Sequence, residues 1–337
     1  MTPRTKRGDG RLDVGKPELV AVVIPAYNAA ATIDETLRSV RNQTHRALEI
    51  MVVDDGSTDG TAAIVEGHAF EDCRVKLFRQ SNAGVAAARN RGIAEAEGEL
   101  VAPIDADDLW HPHKIERQLQ ALRAGGEAVG LVYTWTAFID QKSRIISLHD
   151  QPTDEGYVLD RMCLGNLLGN GSSALMRKTV VLEAGSYDPS LRAMQAQGCE
   201  DYQLYLKIAA RYRFAVVREH LTGYRSAPGR MSDDLMQMIR SFELVASALS
   251  EERPDLAHLL RKGRENFLHH SYRHAIMAAN AFEAASLASW LLRANHGLAV
   301  TLAWEALSLP ARRAAKLLFK SLRSGPAFPQ AVELGIQ

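Results

Sequence analysis

The apolar run Leu100-Val101-Ala102-Pro103-Ile104 ends in the acids of Asp105-Ala106-Asp107-Asp108. A run of this length reads as a buried parallel strand, and the carboxyl end of such a strand is where an open α/β sheet presents its ligands. Carboxylates crowded there repel one another unless a positive charge sits among them. A divalent cation carrying a diphosphate supplies that charge, because hard oxygen donors suit Mg²⁺ or Mn²⁺ and the metal can bridge carboxylate to phosphate. Asp-x-Asp by itself also occurs in solvated turns and helix caps. The other strand ends must therefore contribute.

Glu18 to Ile24 reads as a first buried strand, followed by the loop Pro25-Ala26-Tyr27-Asn28. Thr32-Ile33-Asp34-Glu35 fits a capping box that opens a helix to about Asn42, with Ile33, Leu37 and Val40 on one face. A second strand, Leu48 to Val53, ends in Asp54-Asp55-Gly56-Ser57-Thr58-Asp59-Gly60, turn chemistry that leads into a helix from Thr61. Val75 to Arg79 is a third strand, closed by Ser81-Asn82-Ala83-Gly84; the Ala-rich helix after it, Val85 to Ala96, carries Arg89 and Asn90. Strand and helix alternating at this spacing predict a parallel sheet with right-handed crossovers. The loops 25–28, 54–60 and 105–108 then converge at one edge of that sheet. Neither GxGxxG nor a Walker A loop is present, so the usual phosphate cradles do not account for the site.

Further on, the spacing predicts a helix over Lys114 to Ala124, a long strand over Val129 to Ile139 and a hairpin tip at Gln141-Lys142. Leu168 to Ser173 reads as a flexible small-residue loop, Ala174 to Met176 and Phe214 to Val217 as strands, and Cys199-Glu200-Asp201 as the start of an amphipathic helix. From about Ser232 helical spacing dominates. The fold expected is α/β, a mostly parallel sheet flanked by helices with a C-terminal helical appendage. Its divisions are a disordered basic tail over 1–17, a main unit over 18–231 with halves 18–110 and 111–231, and a helical region over 232–337.

Lys+Arg and Asp+Glu both number 40, so the formal net charge is zero and no basic excess points to nucleic acid. Cys73, Cys163 and Cys199 have no CxxC spacing and an odd count, which reads as reduced thiols in a cytoplasmic protein. The first residues lack the apolar segment of a secretory leader, and no apolar run is long enough for a spanning helix. Leu302 to Arg323 mixes leucines with Arg312, Arg313, Lys316, Lys320 and Arg323, a pattern that suits peripheral contact with anionic lipid at the inner face of a membrane. Packing of the same helix on its own domain is the alternative.

In order and spacing, Pro25-Ala26-Tyr27-Asn28, Asp54 to Asp59, Asn82 and Gly84 before Ala88-Arg89-Asn90, Asp105 to Asp108, and Glu200-Asp201 resemble the family 2 glycosyltransferases, over roughly Leu19 to Ser232. The resemblance implies a GT-A fold with a nucleotide-binding half and an acceptor-binding half. It implies an inverting transfer from a nucleotide-sugar, most often a UDP-sugar, to a hydroxyl of a saccharide or lipid-linked acceptor. A divalent cation, Mn²⁺ or Mg²⁺, would assist, and the setting would be cell-surface polysaccharide or glycolipid assembly. Carried over by position, Pro25 and Tyr27 lie against the uracil, Asp55 accepts from its ring N–H, and Arg89 reaches the nucleotide. Asp105 approaches the ribose hydroxyls and the metal, Asp107 is the direct metal ligand, Asp201 is the base and Glu200 aligns the acceptor. Structural readings exist for the same residues: a core aromatic for Tyr27, a helix cap for Asp55, and acids favoured at a helix N-terminus for Glu200-Asp201.

One position departs from the pattern. Relatives often carry a His after the Tyr-Arg pair, and Ala227 stands there in Tyr224-Arg225-Ser226-Ala227-Pro228-Gly229-Arg230. Arg225 or Arg230 is then expected to neutralise the diphosphate. His111, His113 and His220 read as structural. Two other functions compete: a nucleotide-sugar-binding scaffold without turnover, and a sugar nucleotidyltransferase. The second usually has a Gly-rich, basic loop after the first strand, where this chain has Pro25-Ala26-Tyr27-Asn28.

Overall fold

A computed structural model describes residues 18–148, 152–226, 231–277, 281–294, 300–308 and 328; the basic tail, Ala227, Arg230 and most of Leu302 to Arg323 lie outside them. Strands β1 (Val20–Ala26), β2 (Leu48–Asp54), β3 (Val75–Arg79) and β4 (Leu100–Pro103) pair in parallel in the order β3-β2-β1-β4. Helices α1 (Ile33–Arg41), α2 (Thr61–Glu71) and α3 (Val85–Glu95) cross between them. Every residue of β1 and β2 is buried, as expected of strands covered on both faces. Alternation divides β1: Val20, Val22 and Ile24 pack with Ile33, Leu37 and Val40 of α1, while Val23 faces Ala86 and Ile93 of α3.

The chain continues through β5 (Leu109–Trp110), α4 (Lys114–Gly125), β6 (Val129–Ile139), β7 (Ile145–Leu148) and α5 (Leu159–Cys163). It goes on through β8 (Ala174–Arg177), α6 (Lys178–Glu183), α7 (Ser190–Ala193), α8 (Glu200–Ala209) and β9 (Arg213–Arg225). These strands extend the same sheet from β4 as β8-β6-β9-β5, with β8 antiparallel to β4 and β7 hung on β6. The helices α9 (Leu235–Glu252), α10 (Ala257–Met277) and α11 (Ala281–Ala294) follow. Phe242, Val245 and Leu249 of α9 share a core with Met162, Cys163, Tyr202 and Leu206.

Three local expectations are corrected. Thr32 caps no helix amide; its hydroxyl donates to Ala106 O at 2.9 Å, which ties α1 to the acidic loop. The strand expected over Phe214 to Val217 runs on to Arg225, because β9 stays paired with β6 from Val129 to Ile139 through three register shifts, one between Val129 and Leu131 and one on either side of Trp135. The loop over Leu168 to Ser173 is not a free loop: Asn170, Ser172 and Ser173 are buried, and Gln118 Nε2 donates to Ser173 O at 2.8 Å.

Candidate active site

The order β3-β2-β1-β4 reverses direction at β1, since the chain leaves β1 towards β2 on one side and returns as β4 on the other. In an open α/β sheet the crevice at the carboxyl ends of such a pair is where ligands sit. Tyr27 and Asn28 leave β1 there and Asp105 to Asp108 leave β4. Pro25 is buried at the strand end, and Tyr27 is 53% exposed, so the core-aromatic reading of Tyr27 does not hold. Asn28, with φ +49°, joins the first two loops: its Oδ1 accepts from Thr58 N and its N–H donates to Ser57 Oγ, both at 2.9 Å.

Asp55 is buried and holds the loop before α3 in place. Its Oδ1 accepts from Gln80 Nε2 (2.7 Å) and Ala83 N (2.8 Å), and its Oδ2 from Gly84 N (2.8 Å). A carboxylate oxygen has two lone pairs, so Oδ2 keeps one for a further donor. Gly84 has φ +90°, a conformation that an L side chain rarely adopts.

At the end of β4 the acids divide by environment. Asp105 pairs with the Arg89 guanidinium at 2.5 Å, and Arg89 also lies 5.2 Å from the centroid of the Tyr187 ring. Gly171 allows this approach, since a Cβ there would stand 2.6 Å from Arg89 Nη2. Asp108 is fully buried, its Oδ2 accepting from Ser172 Oγ (2.5 Å) and its Oδ1 from Arg225 N (2.9 Å). Burial first, then the charges of Asp107 and Asp105, push the Asp108 carboxyl well above the usual carboxylate range. That crowding of negative charge is what a cation at Asp107 and Asp105 would relieve, and carboxylate oxygens are the donors Mg²⁺ or Mn²⁺ prefers. Among the described residues no three His, Cys, Asp or Glu side chains are placed to hold a metal by themselves. A cation there would have to share its coordination with substrate oxygens, as Mg²⁺ commonly does.

Glu200 and Asp201 begin α8. Glu200 is 3% exposed and its Oε2 accepts from Gly198 N at 2.8 Å. Asp201 is half-buried, and its Oδ1 accepts from Tyr202 N at 2.6 Å. Burial pushes the Asp201 carboxyl up to about 6, against the pull of Arg89; Glu200 and Asp105 add to the rise. Arg89 thus acts electrostatically on Asp105 at the end of β4 and on Asp201 at the start of α8.

Arg225 is not placed to meet a diphosphate. Its side chain is 2% exposed and fully engaged: Nε donates to Asp107 O (2.6 Å), Nη1 to Asp140 O (3.0 Å), and Nη2 to Glu35 (2.7 Å). Sequence reading missed this bridge, and it missed Ser172, whose Oγ accepts from Asp105 N at 3.0 Å. A short buried run of Asn and Ser next to a strand carries no signal that separates it from a surface turn.

The curled mixed sheet flanked by helices, with acids at the carboxyl ends of β2 and β4, is the GT-A fold of its structural neighbours. Residues 21–184, just under half of the chain, match the model of Glycosyl transferase family 2. An uncharacterized glycosyltransferase of Rickettsia typhi, RT0329, is 28% identical over 250 residues, 73% of this chain and 76% of that one. The putative teichuronic acid biosynthesis glycosyltransferase TuaG of Bacillus subtilis is 42% identical over 103 residues, 30% of this chain and 41% of that protein. The matched part therefore spans less than half of TuaG. Among solved structures, residues 1–349 of S. aureus TarS in complex with UDP-GlcNAc superpose with a TM-score of 0.62 at 16% identity, covering 82% of this chain and 79% of that one.

Proposed function

We propose that the protein transfers a hexose from a UDP-sugar to a hydroxyl group of a saccharide or lipid-linked acceptor, with inversion at the anomeric carbon, in the assembly of a cell-surface polysaccharide or glycolipid. The observation that carries this reading is Asp201: a half-buried carboxyl pushed up to about 6, at the mouth of a helix, within the field of the same arginine that pairs Asp105. A base poised near the working pH is what deprotonation of an alcohol requires. TarS with UDP-GlcNAc and TuaG in teichuronic acid biosynthesis support the donor and the setting by analogy.

In this reading Tyr27 offers its exposed ring to the base with Pro25 beneath it, Asp55 accepts from the base, and Asp105 and Arg89 hold the ribose and nucleotide side. Asp107, with Asp105, would hold the divalent cation, which when bound supplies positive charge to the departing diphosphate. Glu200 orients the acceptor and Asp201 takes the proton of its hydroxyl. The acceptor oxygen then forms its bond to the anomeric carbon as the bond to the diphosphate oxygen breaks, and UDP leaves with that electron pair. Attack opposite the leaving group inverts the centre in one displacement. Arg230 is left as the candidate counter-charge for the diphosphate.

No described helix is long and apolar enough to cross a membrane. Val300, Trp304 and Leu307 are 81%, 63% and 76% exposed just before the basic stretch, which supports peripheral membrane contact there.

The test is release of UDP from labelled UDP-sugars with Mn²⁺, and the anomeric configuration of the product by NMR. Asp201→Asn should lower kcat by about 10²–10⁴-fold while UDP affinity is kept. Binding without release by the wild type would make the protein a scaffold, and a retained anomer would remove Asp201 from its role.

A further inference from the structure

Beside the loop that Asp55 holds lies a cavity of about 400 Å³, walled by α7 with the segment after it and by the first turns of α9. Arg192, Gln195 and Gln197 come from one wall; Met236, Gln237 and Arg240 come from the other. Asp234 also lines it, but its Oδ1 caps α9 by accepting from Gln237 N at 2.9 Å. Two guanidiniums against one carboxylate leave the lining net positive.

The walls are fastened to each other and to the catalytic helix. Gln237 Nε2 donates to Gln197 O (3.2 Å) and Arg240 Nη1 to Gln195 O (3.0 Å). Ser241 Oγ of α9 accepts from Cys199 N at 3.0 Å, immediately before Glu200 and Asp201. On the other side, Arg192 Cδ would stand 2.9 Å from a Cβ at Gly84, the residue whose amide Asp55 binds. The cavity therefore borders both the donor loop and the start of α8.

What the protein leaves over is donor capacity. Arg192 Nη1 is buried with no hydrogen-bond acceptor among the described residues. A buried cationic donor without an acceptor is costly, and an oxyanion removes that cost with charge-assisted bonds. The donor's diphosphate has a different place: the carboxylates at Asp105 and Asp107 need a cation between themselves and phosphate. Guanidinium and amide groups bind an oxyanion directly. The cavity walls also lie beyond residues 21–184, the segment matched to the family model. Small-ligand sites run from roughly 300 to 1,000 Å³, so this one has room for a sugar ring with a charged substituent.

We propose that this cavity receives an acidic group, phosphate or carboxylate, carried by the acceptor saccharide. The proposal rests on the transfer reading above and names the substrate class of that site. Its test is calorimetric titration of the full chain with glucose 6-phosphate, methyl β-glucuronide and neutral methyl β-glucoside, with UDP as the control for the donor loop. An acidic sugar should bind at least about tenfold more tightly than the neutral one, and R240Q should lose most of that preference with UDP affinity changed less than about twofold. The tighter of the two acidic probes identifies phosphate or carboxylate as the group. Arg240 is exposed, so R240Q tests the cavity without disturbing a core; R192Q is the second variant. Absence of a preference for acidic sugars, an unchanged preference in R240Q, or a parallel loss of UDP affinity overturns the assignment. Failure of wild-type protein to bind UDP would instead strike the transfer reading, and the acid preference would still be measured independently.

Discussion

Asp201 is held in a state that weakens the fold. Its folded value near 6 lies above the ordinary 3.8 of an aspartate, so the folded chain keeps a proton that the unfolded chain has already released. The stability linked to it is fully present below the unfolded value and is lost as pH rises through about 6. Asp201→Asn carries no such charge. At pH 7.5 it should raise the melting temperature, by an amount equivalent to roughly 1–3 kcal/mol, with the gain shrinking towards pH 4.5; scanning calorimetry across pH measures this. Activity runs the other way, since the base must be ionised to accept a proton. The transfer rate should fall tenfold per pH unit below about 6, and because Arg89 holds the carboxyl down, Arg89→Gln should move that limb to higher pH. A limb that stays in place in Arg89→Gln would detach Arg89 from the base.

At the scale of elements, the end of β9 holds the acidic loop in place. Arg225 joins Asp107 O, the turn after β6 through Asp140 and Ser143, and α1 through Glu35, a residue 190 positions away in the chain. Arg225 is buried but its carboxylate partner Glu35 is about a third exposed, so losing the buried hydrogen bonds in Arg225→Met should cost about 1–3 kcal/mol in urea unfolding. It should also weaken Mn²⁺ binding, measured by titration with UDP present, because Asp107 loses the contact that fixes its backbone. Unchanged unfolding would mean that Glu35 and the loop carbonyls find water without loss. Nothing in the sequence marks this role. An Arg at the end of an apolar run looks the same whether it enters solvent or a network built from distant segments, which is why the sequence alone leaves Arg225 beside Arg230 as a candidate for the diphosphate. The four parallel strands, in contrast, were legible, since each is a continuous apolar run closed by turn residues and needs no distant partner to be recognised. Strand β5, two residues long, and the full reach of β9 were not, because their pairing is set by the neighbour and not by their own pattern.

Across the whole molecule, the sheet accounts for where the site is and the helices after it account for whether the site persists. The reversal at β1 brings Tyr27 and Asp105 to adjacent strand ends, a placement that follows from the order of the apolar runs alone. The position of Asp201 depends on more. Tyr202 stacks on Phe242 with ring centroids 5.6 Å apart, Phe242 stacks on Phe267 at 4.8 Å, and Cys199 N is bonded to Ser241, so α8 is set against α9 and α10. A chain ending at Ser232 would uncover the surfaces that Phe242, Val245 and Leu249 now bury. Each such side chain is worth about 1.5–3 kcal/mol, and the sum reaches the 5–15 kcal/mol by which a typical protein is stable at all. The shortened chain should therefore lose its cooperative unfolding transition and bind UDP no better than background, as read by calorimetry and titration. If it melts cooperatively and binds UDP like the full chain, residues 18–231 form a self-sufficient transferase unit and the helices serve the acceptor side alone.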